Sequence, residues 1–258
     1  MDNSQYLVVA LDAAHAAADI IRHYYRRDPA VRQKPDATPV TEADVAAEKV
    51  IRETILAAFP DHGFYGEETG REREDAEFLW LVDPIDGTRS FVRGYPFFST
   101  QIALMRAGRI ELGVSSAPLF DEVAWAERGA GAWLNGERCA VSSVGALELS
   151  TLSAGNLRTL AMSDAWSQYG RLVARVERIR GYGDFYHYHL LATGRIDIVI
   201  ESDVHVLDIA ALSLIVEEAG GSFTNLAGRP LDMHTRSALA SNGRLHANVL
   251  AAMNYSDP

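Results

Sequence analysis

The stretch LWLVDPIDGTRSF, residues 79–91, decides how the rest of this chain is read. Its apolar start reads as a buried strand and ends abruptly in Asp83. Pro84 is expected to stop the strand, Asp86 follows, and Gly87-Thr88 opens a short helix. Two carboxylates thus stand at a strand's end beside a Gly-Thr turn whose amide hydrogens are available. Carboxylates hold hard cations. A helix N-terminus offers donors and a partial positive charge to an anion. The segment therefore suits a metal-bound phosphate.

Before this stretch, residues 5–27 are apolar at helical spacing (Leu7, Val8, Leu11, Ala14, Ile20, Ile21, Tyr24) and close at Asp28-Pro29. Residues 34–40, with Pro35 and Pro39, read as a loop, and a second helix runs from Thr41 to about residue 59. Strands are predicted at 78–82, 99–106, 110–117 and 123–126. Ala107-Gly108 and Asn135-Gly136 are the turns of an antiparallel meander. The second half alternates: strands at 150–153, 179–181, 196–200, 222–224 and 238–240, helices at 164–176, 184–193, 207–219 and 245–253. Mixed sheets with helices packed in layers, an α/β (α+β) class, follow from this order. No linker, repeat or low-complexity stretch divides the chain, so residues 1–258 read as one domain.

Composition narrows the function. The 258 residues are 48% hydrophobic, enough for a sizeable core. A formal net charge of -11 argues against nucleic acid or an anionic membrane as partner. The single cysteine, Cys139, excludes an internal disulfide and fits a reducing compartment. The start MDNSQYLVV carries no basic leader, and no apolar run reaches the roughly 18 residues of a spanning helix. A soluble, cytoplasmic protein is expected. Lys34 and Lys49 are the only lysines among many arginines, which singles out Lys34 weakly.

Five acids stand at element ends: Asp44, Glu67, Asp83, Asp86 and Asp208. Each has an ordinary explanation. Thr41-Glu42-Ala43-Asp44 is a capping box, Glu67-Glu68 sits in a polar loop, Asp208 complements a helix dipole, and Asp83-Pro84 forms turns elsewhere. Together they point further. Gly66 allows a close backbone approach beside Glu67, and Asp83 and Asp86 leave a buried strand. Like charges about 4 Å apart repel by roughly 4 kcal/mol at an effective dielectric near 20. Divalent cations remove that cost, and all-oxygen ligands favour Mg²⁺ or Mn²⁺ over zinc.

With these residues in place, the chain resembles the inositol monophosphatase superfamily over nearly its whole length. Three blocks carry the likeness: KPDATPVTEAD (34–44) with GEE (66–68), DPIDGT (83–88), and Asp208 opening a helix that closes in EEAGG. The resemblance implies a layered αβαβα sandwich of the inositol monophosphatase / fructose-1,6-bisphosphatase type and a homodimer. It also implies Mg²⁺-dependent, lithium-sensitive hydrolysis of small phosphate monoesters with two or three ions. Two tightly packed lobes would follow, residues 1–145 for metal and phosphate and residues 146–258 for substrate and the last metal ligand.

By match, Glu67, Asp83 and the carbonyl of Ile85 look like ligands of one ion. Asp83, Asp86 and Asp208 look like ligands of a second, and Asp44 and Glu67 would reach a third. Thr88 and Asp44 look like the pair that orients and deprotonates the attacking water. The amides of Gly87 and Thr88 would hold the phosphate, and Lys34 would lie near the cluster. Direct in-line attack by water, without a phosphoenzyme, is expected.

Three stretches look most like the histidinol-phosphate phosphatase branch: residues 86–104, 114–133 and 182–198. Asp184 in the Gly183-Asp184-Phe185 step suits a cationic amino alcohol phosphate, and Glu201 could face the same ammonium. Asp184 is equally readable as a helix N-cap. Inositol monophosphate or another small sugar or nucleotide phosphate is the second substrate, and a non-catalytic phosphate-binding relative the third reading. Leu207 stands where relatives carry Trp, which predicts a looser wall to the site or a different leaving-group pocket.

Other signals are set aside. The spacing of Asp83 and Asp86 is one residue too long for the Asp-x-Asp-Gly-Thr of haloacid dehalogenase phosphatases. His187 and His189, two apart, fall on different helix faces and make no zinc pair. Gly129-Ala130-Gly131 lacks the context of a dinucleotide fingerprint and reads as a tight turn.

Overall fold

The computed structural model describes residues 3–25, 31–33 and 39–255. The chain opens with α1 (Gln5–Tyr25), the short hairpin β1 (Val31–Gln33) and β2 (Pro39–Thr41), and α2 (Glu42–Ala58). Leu7, Ala10, Ala14, Ala17 and Ile21 recur at helical spacing and are fully buried, so α1 turns one apolar stripe inward. Small alanines on that stripe let α1 lie close along α2.

A large sheet follows, built from β3 (Gly63–Gly66), β4 (Gly70–Glu72), β5 (Phe78–Asp86), then α3 (Thr88–Val92), β6 (Ser99–Arg106), β7 (Arg109–Ala117), β8 (Glu122–Glu127), β9 (Gly131–Leu134) and β10 (Glu137–Arg138). Its spatial order is β10-β9-β8-β7-β6-β5-β3-β4. From β5 to β10 it is the expected antiparallel meander, while β3 lies parallel to β5.

The second half supplies a 3-10 turn (Leu147–Leu149), β11 (Thr151–Ala154), α4 (Arg158–Ala161), α5 (Trp166–Val173), β12 (Arg178–Arg180), α6 (Asp184–Ala192), β13 (Ile198–Ser202), α7 (Val206–Glu218), β14 (Ser222–Thr224), β15 (Ser237–Ser241) and α8 (His246–Met253). Five strands form a smaller mixed sheet in the order β12-β11-β13-β15-β14.

The layers run α1 and α2, large sheet, α6 and α7, small sheet, then α4, α5 and α8. This is the αβαβα sandwich. Helix α7 is apolar nearly all round because both its faces are covered. It crosses β7 so closely that a Cβ on Gly113 would lie 2.5 Å from the Ala211 carbonyl oxygen. That contact is one place where only glycine fits.

Two expectations change. Pro84 does not end the strand: β5 runs on to Asp86 through a register shift between Asp83 and Asp86. The shift interrupts the ladder where proline has no N–H to give, and the Pro84 carbonyl accepts from Thr100 Oγ1 at 2.8 Å. Leu207 itself does not form a cavity wall. It is buried among Leu79, Leu81, Ala103 and Ala210 against the large sheet.

Candidate active site

One cavity of about 770 Å³ opens where the ends of β5, β11 and β13 meet the starts of α3, α6 and α7. Glu67, Asp83, Ile85, Asp86, Gly87, Thr88, Asp184, Glu201 and Asp208 all line it. Residues far apart in sequence are thus brought to one place.

The centre is Asp83, Asp86 and Asp208, each offering an oxygen within 4.8 Å of the others. The bulge in β5 aims Asp83 and Asp86 to the same side, and Asp83 Oδ1 accepts from the Ile85 amide at 3.0 Å. Asp208 is the third residue of α7. Its Oδ2 accepts from the His205 amide at 2.8 Å while the His205 ring caps the helix in return.

Burial, then repulsion from Glu67, Asp86 and Asp208, pushes the Asp83 carboxyl well above the usual range. Burial and then Asp184, Asp208 and Glu201 do the same to Asp86. Asp208 is pushed up to about 7, chiefly by burial and against the His205 amide bond, with Glu67, Glu201 and Asp184 adding to the rise. So many desolvated carboxylates facing one another is unfavourable for the protein alone. The all-oxygen donor set and the crowding both fit a hard divalent cation.

Asp44 does two jobs. Its Oδ2 accepts from the Thr41 amide and hydroxyl at 2.8 and 2.6 Å, which completes the capping box of α2. Its Oδ1 accepts from Thr88 Oγ1 at 3.1 Å. Thr88 Oγ1 also lies 3.0 Å from the Ile85 carbonyl oxygen, so one hydroxyl proton has two acceptors. Burial raises the Asp44 carboxyl above its ordinary value, despite the bonds from Thr41 and Thr88. Asp44 stands behind Thr88 rather than on the cavity surface. Lys34 lies outside the described residues.

Glu48, passed over in the sequence, anchors the turn that carries Glu67. It is fully buried, and its two carboxylate oxygens accept from the Glu68 and Thr69 amides at 2.8 Å each. A Cβ on Gly66 would sit 2.5 Å from that carboxylate, which explains the glycine. The available signal was an acid four residues after Asp44 on the buried stripe of α2.

At the cavity's other wall, Glu201 Oε2 accepts from the Tyr188 hydroxyl at 2.7 Å and lies 3.1 Å from His187 Nε2. Its Oε1 lies 3.3 Å from the Asn156 amide. Asp184 follows the N-cap, Gly183, and so does not cap α6. Burial and then Glu201 push its carboxyl up to about 6, with His187 opposing. His187 and His189 are buried with separate partners, Glu201 and Glu122. Burial lifts the Cys139 thiol to about 11, which makes it a poor nucleophile at neutral pH.

The inositol monophosphatase family model matches residues 2–256. The chain belongs to the inositol monophosphatase family. It is 41% identical to the histidinol-phosphatase of Mycobacterium tuberculosis, over 96% of this chain and 97% of that one. It is 35% identical to the fructose-1,6-bisphosphatase/inositol-1-monophosphatase of Thermotoga maritima, over 90% and 89% of the two chains. Its fold matches the crystal structure of the extragenic suppressor protein SuhB of Bartonella henselae with a TM-score of 0.90 at 32% identity, covering 98% and 100%. The chain is therefore a phosphoric monoester hydrolase of a Mg²⁺-dependent family, built as the layered α/β sandwich of that family. Among the described residues no helix is long and apolar enough to cross a membrane.

Proposed function

We propose that this protein hydrolyses L-histidinol phosphate, and that the cavity residues do so in the roles the three sequence blocks suggest. The observation that carries the substrate is the pair Asp184 and Glu201 on the wall of the cavity that also holds the aspartate cluster. An Asp pushed up to about 6 by burial and by a neighbouring carboxylate is poised to take an ammonium beside it, since a cation restores the charged form. An amino alcohol phosphate brings such an ammonium, whereas a sugar phosphate does not. The histidinol-phosphatase relatives, at 37–41% identity over nearly the full chain, support the same choice.

Asp83, Asp86 and Asp208 would hold Mg²⁺ together with Glu67 and the Ile85 carbonyl, and Asp44 with Glu67 would hold a further ion. The chemistry such an ion would supply is charge neutralisation at the phosphate and a lowered pKa of water. The rest falls to the chain. Thr88 Oγ1 orients the attacking water, and its proton moves toward Asp44 Oδ1, the Asp44 oxygen not occupied by Thr41. A buried carboxyl with a raised proton affinity is the better general base for this. The Gly87 and Thr88 amides orient the phosphate. Residues 1–145 and 146–258 act as two lobes of one unit, and a homodimer working in the cytoplasm completes the reading.

The test is a phosphate-release panel with and without Mg²⁺, containing histidinol phosphate, inositol 1-phosphate, fructose 1,6-bisphosphate and adenosine 3′,5′-bisphosphate. Highest kcat/KM on histidinol phosphate is expected. A preference for inositol 1-phosphate would move the assignment to the second reading. No turnover of any member would favour a phosphate-binding relative.

A further inference from the structure

A buried hydrogen-bond chain leaves the cluster in the direction away from the cavity. Ser99 Oγ lies 3.5 Å from Asp86 Oδ2, and Gln101 Nε2 lies 2.7 Å from Ser99 Oγ and 3.1 Å from Ser115 Oγ. His189 Nε2 is 2.9 Å from Ser115 Oγ, and His189 Nδ1 is 2.8 Å from Glu122 Oε2. Ser99, Gln101, Ser115 and His189 are all at most 2% exposed. The sheet dictates this alignment. Ser99 and Gln101 are two apart on β6 and share a face, Ser99 pairs with Asp86 on β5, and Gln101 pairs with Ser115 on β7.

The proton directions follow from the two ends. With a cation held at the cluster, both ends are ionised carboxylates and only accept. At the Glu122 end the His189 Nδ1–H donates to the carboxylate, and in that tautomer Nε2 accepts from the Ser115 hydroxyl. The Ser115 oxygen is then open to a donor. At the other end the Ser99 hydroxyl donates to Asp86, and its oxygen is open too. A chain with an acceptor at each end needs a double donor at its middle. The side-chain NH₂ of Gln101 is that group, and turning the amide over would draw both hydroxyl protons away from their targets.

We propose that Gln101 is a positioning residue for the metal site, orienting Ser99 to donate to Asp86 while Ser115, His189 and Glu122 fix the amide from behind. The proposal rests on the reading of Asp86 as a metal ligand. Ligating carboxylates are held by such outer partners, whose loss weakens metal binding. A second observation separates this role from scaffolding. Gln101 Oε1 is buried and accepts nothing from the described residues. An unpaired buried acceptor destabilises a fold; an aliphatic side chain of similar shape removes that burden, which offsets the bonds that the Ser99 and Ser115 oxygens lose. Metal affinity should therefore fall with little change in stability when Gln101 is replaced.

The experiment is calorimetric titration of the intact, EDTA-stripped protein with Mg²⁺, alongside its Tm in EDTA, for Gln101→Leu, Ser99→Ala and Asp86→Asn. Gln101→Leu and Ser99→Ala are expected to weaken Mg²⁺ binding about 10-fold, with the Tm of Gln101→Leu close to that of the parent. Unchanged Mg²⁺ affinity in Gln101→Leu, with binding lost in Asp86→Asn, would refute the positioning role alone. A fall in both Tm and affinity in Gln101→Leu, with Ser99→Ala binding normally, would make the residue scaffold and also refute it. Full affinity in Asp86→Asn would remove the ligand assignment and the positioning role with it.

Discussion

Replacing Asp208 by Asn tests the electrostatic account of the site most directly. Asn keeps an oxygen for the His205 amide, so the cap of α7 survives while the charge is lost. The Asp208 carboxyl titrates at about 7 in the fold against an ordinary 3.8. Between these values the folded protein holds a proton that the unfolded chain has released. More protons are bound in the native state there, so the metal-free protein loses stability as pH rises through that window. At about 1.4 kcal/mol per pH unit the full loss is about 4 kcal/mol by pH 8. Water reaches the partly exposed edge of Asp208 and screens part of this, leaving ~2 kcal/mol.

In EDTA at pH 8 the Asn variant is therefore expected to melt about 4–8 °C above the parent, and the gap should shrink as pH falls toward 4. Saturating Mg²⁺ should reverse the order, since ligand at about 100 times its Kd adds roughly 2.7 kcal/mol to the protein that binds it. Differential scanning fluorimetry from pH 4 to 8, with EDTA or Mg²⁺, reads both effects. If the variant melts no higher than the parent at pH 8 in EDTA, the carboxylates do not repel one another as argued. If Mg²⁺ stabilises both proteins equally, Asp208 is not a ligand.

Other expectations concern single residues. Asp83→Asn should abolish Mg²⁺-dependent phosphate release while the far-UV circular dichroism stays that of the parent; turnover at saturating Mg²⁺ would remove it from the ligand set. Asp184→Ala should raise KM for histidinol phosphate much more than for inositol 1-phosphate, and equal losses would end its role as a reader of positive charge. Glu48→Leu leaves the Glu68 and Thr69 amides without their acceptor. It should cost about 2–6 kcal/mol at about 1–3 kcal/mol for each orphaned donor, measured by urea unfolding, with Mg²⁺ affinity falling as the Glu67 turn loosens. Gly113→Ala presses a methyl onto the Ala211 backbone and should destabilise by about 1–3 kcal/mol, read by the same unfolding curves.

Much of this protein was legible from local pattern. The 3.6-residue periodicity of α1 and α2, the alternation and turns of the meander, and the Thr41–Asp44 box each report physics that acts within a few residues. The three sequence blocks added what periodicity cannot, namely that acids at 44, 67, 83, 86 and 208 belong together. Misreadings came where a local rule met a tertiary constraint. Proline does break ladders, but the bulge beside Pro84 absorbed its missing N–H and let β5 reach Asp86. Leu207 looked like a change in the site wall because relatives carry Trp at this position, beside Asp208. Helical geometry points the two in different directions, Leu207 into the core and Asp208 into the cavity.

What lies in a sequence by itself is which groups carry charge, hydrogen bonds or apolar surface, and at what spacing. That was enough to place the long helices and most of the meander and to single out the candidate acids. Their mutual distances, the raised proton affinities of Asp83, Asp86 and Asp208, the anchoring of the Glu67 turn by Glu48, and the chain from Asp86 to Glu122 depend on how two sheets and α7 are layered. Desolvation and Coulomb interaction depend on separation and surroundings in space, and residues distant in sequence have neither until the chain has folded.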